Sequence, residues 1–195
     1  MIDYIRGSVA ELNPTEIVLD CNGVGYSMLI SLQTYEAVKG LKEAKIYIHH
    51  YLREDDEEFY GFFTKDEREI FRLLISVSGI GVASARMMLS SMSSEEVREA
   101  ILSENIAKIK SVKGIGAKSA QRLVLELKDK VIKGEGSASG SIIAAGIDDV
   151  AEQAGTALVL LGFSKPNVHK AVRSILSANR GASVEEIIKE ALKIL

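Results

Sequence analysis

A chain of 195 residues with 47% hydrophobic content can bury a core and is too apolar to be disordered throughout. It holds no run near the roughly 20 apolar residues of a membrane span, and Met1-Ile2-Asp3-Tyr4 lacks the basic-then-apolar opening of a signal peptide, so a soluble cytosolic protein is expected. Cys21 stands alone, which excludes an intramolecular disulfide and a cysteine-based zinc cluster and suits a small core residue in a reducing compartment.

The net charge of −3 argues at first against a nucleic-acid partner. Its distribution argues otherwise. Residues 1–63 carry 5 Lys/Arg against 11 Asp/Glu, residues 64–133 carry 13 against 9, and residues 134–195 carry 6 against 7. A basic middle behind an acidic first third implies one segment that attracts phosphate and another that repels it.

In chain order, the runs Ile2 to Val9, Ile17 to Cys21, Tyr26 to Ile30 and Ala44 to Tyr51 alternate apolar and polar residues. Asn13-Pro14 and Asn22-Gly23 give turn signals between them, and a helical stretch covers Thr34 to Val38. Phe59-Tyr60-Gly61-Phe62-Phe63 gives a last, aromatic strand, so the first 63 residues read as a small sandwich or barrel. From Asp66 the apolar spacing turns helical through Ile70, Phe71, Leu74 and Val77, with acids suiting the first-turn dipole, and this helix is expected to end at Ser78-Gly79. A second helix follows Gly81 to about Ser90. Ser93-Ser94-Glu95-Glu96 is a capping box that opens a third, a short one covers Ile106 to Ile109, and another runs from Lys118 to Val131. Lys133 to Ser141 has the glycine and serine content of a flexible linker, placed at 134–147. Three helices then follow, Asp148 to Leu161, Pro166 to Ser177, and Val184 to Leu195 after a second capping box at Ser183, in a bundle small enough to need a docking partner.

An internal repeat carries the functional signal. Val77-Ser78-Gly79-Ile80-Gly81-Val82-Ala83-Ser84-Ala85-Arg86 lies over Val112-Lys113-Gly114-Ile115-Gly116-Ala117-Lys118-Ser119-Ala120-Gln121 with Val, Gly, Ile, Gly, Ser and Ala in register. Each copy is a helix, a tight hairpin and a second helix. The glycines allow positive φ and leave backbone N–H groups unobstructed at the positive end of the following helix, which makes an anion site. Two copies in one domain can hold two phosphates at a fixed spacing, as on the two strands of a duplex across the minor groove, positioning without reading sequence. Gly79, Gly81, Ser84 and Arg86 of the first copy, and Gly114, Gly116, Lys118, Ser119 and Arg122 of the second, are the DNA-binding candidates. The bland alternative is a turn between packed helices with the isoleucine plugging the core.

Other residues are set aside. His49 and His50 fall on opposite faces of a strand and His169 is alone, so no metal set is complete. Gly-x-Gly follows a helix and not a strand, which excludes a dinucleotide fingerprint, and no Walker-type Gly-x-x-x-x-Gly-Lys-Ser/Thr appears. No nucleophile has a paired base. A catalytic use of the acidic run Glu54-Asp55-Asp56-Glu57-Glu58 with Mg²⁺ stays open, although alternate side chains of an extended chain point apart. A protein-binding scaffold without DNA stays open as well.

Gly23-Val24-Gly25-Tyr26, Arg53-Glu54-Asp55, Phe59-Tyr60-Gly61-Phe62, both Gly-Ile-Gly hairpins and Leu158-Val159-Leu160-Leu161-Gly162-Phe163 together resemble the RuvA family, end to end. The resemblance implies an α+β multidomain protein. Its parts are an OB-type five-stranded β-barrel (1–63), an all-α tandem helix-hairpin-helix domain (64–133), a linker and a C-terminal three-helix UBA-like bundle (148–195). It further implies a non-catalytic bacterial cytoplasmic protein that binds four-way (Holliday) junctions as a homotetramer, singly or as two faced tetramers. Glu54 and Asp55 would form an acidic pin at the crossover. Leu158, Leu161 and Phe163 would contact the hexameric RuvB ATPase, the RuvC resolvase is a further partner, and no cofactor is expected, ATP and Mg²⁺ being used by the motor. Ala83, where the family commonly has a lysine matching Lys118, departs from the pattern and implies asymmetric strand contact.

Overall fold

A computed structural model describes residues 2–54, 57–132 and 147–195. The chain forms two compact units, 1–139 and 140–195. The expected linker lies outside the described residues except for Ile147, which opens a helix.

Five strands, β1 (Tyr4–Asn13), β2 (Glu16–Cys21), β3 (Val24–Ile30), β4 (Glu43–Leu52) and β5 (Glu57–Phe62), close into a barrel in the order β1-β2-β3-β5-β4. All pairings are antiparallel except β3 with β5, whose parallel register is short, Leu29 opposite Tyr60 and Ile30 opposite Gly61. A parallel pair needs a crossover, supplied by helix α1 (Leu32–Val38) and β4. The alternation seen in the sequence directs Ile5, Ile17, Leu19, Met28, Ile30, Ile46 and Ile48 inward. Closure requires glycine at position 61, because an added Cβ would stand 2.8 Å from Ile46 Cγ2 and 3.2 Å from Ile30 Cγ2.

Helices α2 (Lys65–Ile75), α3 (Val82–Ser91), α4 (Ser94–Leu102), α5 (Ile106–Lys110) and α6 (Ala117–Ile132) follow. The Ser93 capping box is present, with the hydroxyl accepting from Glu96 N–H and the Glu96 carboxylate from Ser93 N–H. Helix α2 ends at Ile75, earlier than its apolar spacing suggests, and Val77 instead plugs the core from the hairpin. The boundary near Phe63 separates strands from helices along the chain, yet both sides pack as one unit. Tyr60 and Phe62 of β5 belong to the same core as Phe71, Leu74, Met88, Leu123 and Leu127, with Tyr60 stacked on Phe71.

Two adjacent buried charges on α2 fasten it to the barrel. Glu67, read from sequence as a first-turn acid suited to the helix dipole, accepts from the hydroxyls of Ser31 and Thr34 (2.7 Å) and from Phe63 N–H (3.3 Å). Burial pushes its carboxyl above the ordinary carboxylate range, and the Ser31 and Thr34 bonds oppose that rise. Arg68 donates to the Asp3 carboxylate and the Asp3 carbonyl, each at 2.7 Å, and the hydrogen bond holds the Asp3 carboxyl below its usual value.

The second unit is built from α7 (Ile147–Leu160), α8 (Lys165–Ala178) and α9 (Val184–Ile194) around Ala154, Leu158, Val168, Val172, Ile187 and Ala191. Pro166 stands in the first turn of α8, and the Ser183 capping box opens α9. Among the described residues no helix is long and apolar enough to cross a membrane.

Candidate nucleic-acid interface

The two Gly-Ile-Gly segments fold into the same turn twice. Gly79 and Gly114 both adopt φ +92°, the left-handed region that only glycine enters without strain. Ile80 N–H donates to the Val77 carbonyl at 3.0 Å, and Ile115 N–H to the Val112 carbonyl at 3.2 Å. The first intrahelical bonds match as well, Ala85 to Gly81 at 3.0 Å and Ala120 to Gly116 at 2.9 Å. Both isoleucines are 5% exposed, whereas Gly79, Gly81, Gly114 and Gly116 are all exposed. The bland reading of the isoleucine as a core plug is therefore correct, and it is compatible with an anion site because the plug fixes the glycine backbone facing solvent.

Each hairpin leaves a helix N-terminus open. Gly81 caps α3 in extended conformation with no side-chain cap, so the N–H groups of Val82, Ala83 and Ser84 have no intrahelical acceptor. Ala117, Lys118 and Ser119 occupy the same positions in α6. An added Cβ at Gly79 would stand 3.4 Å from Ser119 Oγ, and one at Gly114 3.3 Å from Ser84 Oγ. This reciprocity shows the copies packed about a local pseudo-twofold, each helix start against the opposite hairpin. Ser84 and Ser119, DNA-binding candidates from sequence, are half-buried beside the opposite hairpin's glycine.

The cations divide unequally. Lys118 is exposed and carries no ion pair among the described residues; Lys110 and Lys113, which flank the same hairpin and which the sequence reading passed over, share that state. The in-register alignment contains the signal for Lys113, since it stands opposite Ser78. Arg122 lies one and a half turns into α6 and is paired to Glu126 at 2.6 Å, so its charge is partly spent. Arg86 donates to the Thr15 carbonyl of the barrel at 3.1 Å. Its place just after the first hairpin makes it a phosphate-ligand candidate in sequence, and in space it engages the β1–β2 turn.

The acidic run also divides. Leu52 pairs with Glu57 and Tyr51 with Glu58, so these last two acids of the run belong to β5. Glu57 lies 2.8 Å from His50 Nε2, and Glu58 accepts from the Tyr60 hydroxyl at 2.6 Å. Burial, then the Glu58 bond, raises the Tyr60 phenol well above its usual value. Glu54 is exposed in the tip, while Asp55 lies outside the described residues. His49 faces Phe71 and His50 faces Phe59, on opposite sides of β4, and burial lowers the His49 pKa. No three His, Cys, Asp or Glu side chains converge among the described residues.

In the second unit the three expected partner-facing residues separate. Leu158 is fully buried between the helices, because its spacing from Ala154 puts it on the inward face of α7. Leu161 is 61% exposed and Phe163 packs partly against the core. Leu160, which the resemblance does not name as a contact, is 83% exposed; it rims an apolar groove of about 750 Å³ between α7 and α8, floored by Gly155 and Val172 and edged by Lys165 and Arg173.

Comparison with known proteins follows the same divisions. Residues 1–61 match the family model of the RuvA N terminal domain, residues 71–129 that of the SAM-like helix-hairpin-helix tandem, and residues 149–195 that of the RuvA C-terminal domain. The chain is 48% identical over 201 residues to the Holliday junction branch migration complex subunit RuvA of Bacteroides fragilis, covering 100% of both chains. It is 48% identical over 195 residues to that of Christiangramia forsetii and 43% over 202 residues to that of Porphyromonas gingivalis, again with complete coverage.

Proposed function

The chain belongs to the RuvA family, and on that premise we propose that it binds four-way DNA junctions through their phosphate backbones, as the non-catalytic subunit of a branch-migration complex. The observation that carries this reading is the pair of hairpins in one conformation, packed reciprocally, with two open helix N-termini held in one compact unit. Each seat offers backbone N–H donors and a helix-dipole field to one phosphate, and neither offers a base-reading side chain. Gly79, Gly81, Gly114, Gly116 and Lys118 form the seats; Lys113 strengthens the second, and Ser84 and Ser119 hold the spacing between them.

The protein acts as a homotetramer, or two facing ones, with Glu54 and Asp55 of each subunit turned toward the crossover, where their charge repels phosphate and keeps the strands apart. The second unit docks the RuvB ATPase through Leu161, Phe163 and the exposed rim at Leu160. RuvC is a further partner. The chain uses no cofactor of its own, ATP and Mg²⁺ being consumed by the motor, and works in the bacterial cytoplasm.

The test is a gel-shift competition between a four-way junction and linear duplex of the same arm sequence, with Mg²⁺ present and across a salt series. Preferential retention of an intact junction supports the proposal. Equal retention of both DNAs reduces the protein to a general duplex binder, and cleavage lost on Glu54→Gln makes it an enzyme.

A further inference from the structure

The two hairpin copies share a backbone but not a setting. Helix α3 is bound at two points, the β1–β2 turn of the barrel and the start of α1, for which α6 has no equivalent among the described residues. The Arg86 guanidinium donates to the Thr15 carbonyl at 3.1 Å, beside the Ile30 N–H that already donates there at 3.0 Å, so it completes the acceptor at the β1–β2 turn. One turn on, Ser90 Oγ donates to the Arg86 carbonyl at 2.9 Å and accepts from Leu32 N–H, the first residue of α1, at 3.1 Å. In α6 the matching positions are Gln121 and Leu125, the latter 80% exposed. The cations run the opposite way. The second hairpin has Lys113 and Lys118 where the first has Ser78 and Ala83.

We infer that Arg86 and Ser90 are positioning residues that fix the first hairpin relative to the barrel. The second copy supplies most of the charge that grips phosphate, and the first sets the angle at which a DNA arm leaves the barrel face. This division rests on the phosphate-gripping reading above and assigns different work to the two copies. A linear duplex tolerates a loosened angle, since one subunit can adjust to it. A junction held by several subunits does not, because every arm must meet its seat at once.

The test compares full-length Arg86→Gln, Ser90→Ala and Lys118→Gln with wild type on junction and linear duplex across a salt series, with thermal melting to establish folding. Wild-type binding and Lys118→Gln test phosphate gripping itself; losing that cation lowers the log-log salt slope by roughly 0.9 per subunit engaged. Arg86→Gln and Ser90→Ala are expected to keep the wild-type slope on linear duplex while cutting the junction-to-duplex affinity ratio by about fivefold or more. Ser90 is uncharged and its hydroxyl is engaged by Leu32 N–H and the Arg86 carbonyl, so a shared phenotype cannot come from a lost cation. A slope that falls in Arg86→Gln as it does in Lys118→Gln, or a junction preference that survives both Arg86→Gln and Ser90→Ala, overturns the inference.

Discussion

Gly116→Glu isolates the phosphate seat from the fold that carries it. An added Cβ at Gly116 meets no atom within 4 Å, and its φ lies outside the positive region, so a side chain enters open space. At Gly114 the φ of +92° would strain any replacement, and lost binding there would be confounded with a distorted turn. A carboxylate beside the start of α6 favours the helix dipole by about 0.3–1 kcal/mol, so the melting temperature should hold or rise slightly. With DNA bound, the same charge stands near a phosphate. At about 5 Å and an effective dielectric constant between about 20 and 80, the repulsion is roughly 1–3 kcal/mol per subunit, on the order of 5- to 200-fold in affinity. Fluorescence anisotropy on a labelled junction, with Gly116→Gln as a neutral control of the same shape, reads the difference directly. Glu and Gln variants of equal affinity would refute the hairpin as a phosphate seat, and a Glu variant that unfolds would refute the claim that Gly116 faces solvent.

Three further outcomes follow from the same geometry. Ala83 is exposed at the position matching Lys118, so Ala83→Lys should raise duplex affinity and steepen the salt slope by roughly 0.9, measured by anisotropy between low and moderate salt. Leu158→Asp buries a charge in the three-helix core and should unfold the second unit at a cost of several kcal/mol, seen as lost helical circular dichroism; Leu161→Asp should leave the unit folded and weaken capture of RuvB in a pull-down. Burial raises the folded pKa of Glu67 above the ordinary carboxylate range, so the folded state holds its proton more tightly than the unfolded state. The stability of wild type relative to Glu67→Gln should therefore be greatest at or below about pH 4.5, fall as pH rises through the folded pKa and flatten above it, as denaturant melts across that range would report.

What the sequence made legible was local and repeated. Period-two alternation located the barrel strands, the Ser-x-x-Glu boxes at Ser93 and Ser183 located two helix starts, and one register of 35 residues located both hairpins. The fold class followed from those signals and the resemblance together. What the sequence did not show was long-range. The Arg86 bond to Thr15 spans 71 residues, and the Glu67 bonds to Ser31 and Thr34 span more than 30. Nothing in the neighbourhood of Arg86 distinguishes a barrel brace from a phosphate ligand. Ser84 and Ser119 were read beside their own hairpins, whereas the pseudo-twofold places each against the other's glycine. The family resemblance names Leu158 together with Leu161, whereas helical spacing from Ala154 puts Leu158 on the inward face. Lys113 stands opposite Ser78 in the same alignment, so the extra charge beside the second hairpin is legible in the sequence.

The central claim is that two reciprocal hairpins hold two phosphates, one on each strand of an arm, without reading bases. Hydroxyl-radical footprinting of the protein on a four-way junction tests it most directly. The account predicts paired protections offset across the minor groove on both strands of every arm, unchanged when the arm sequences are exchanged. Protection confined to one strand, or protection that moves with the sequence, would contradict it.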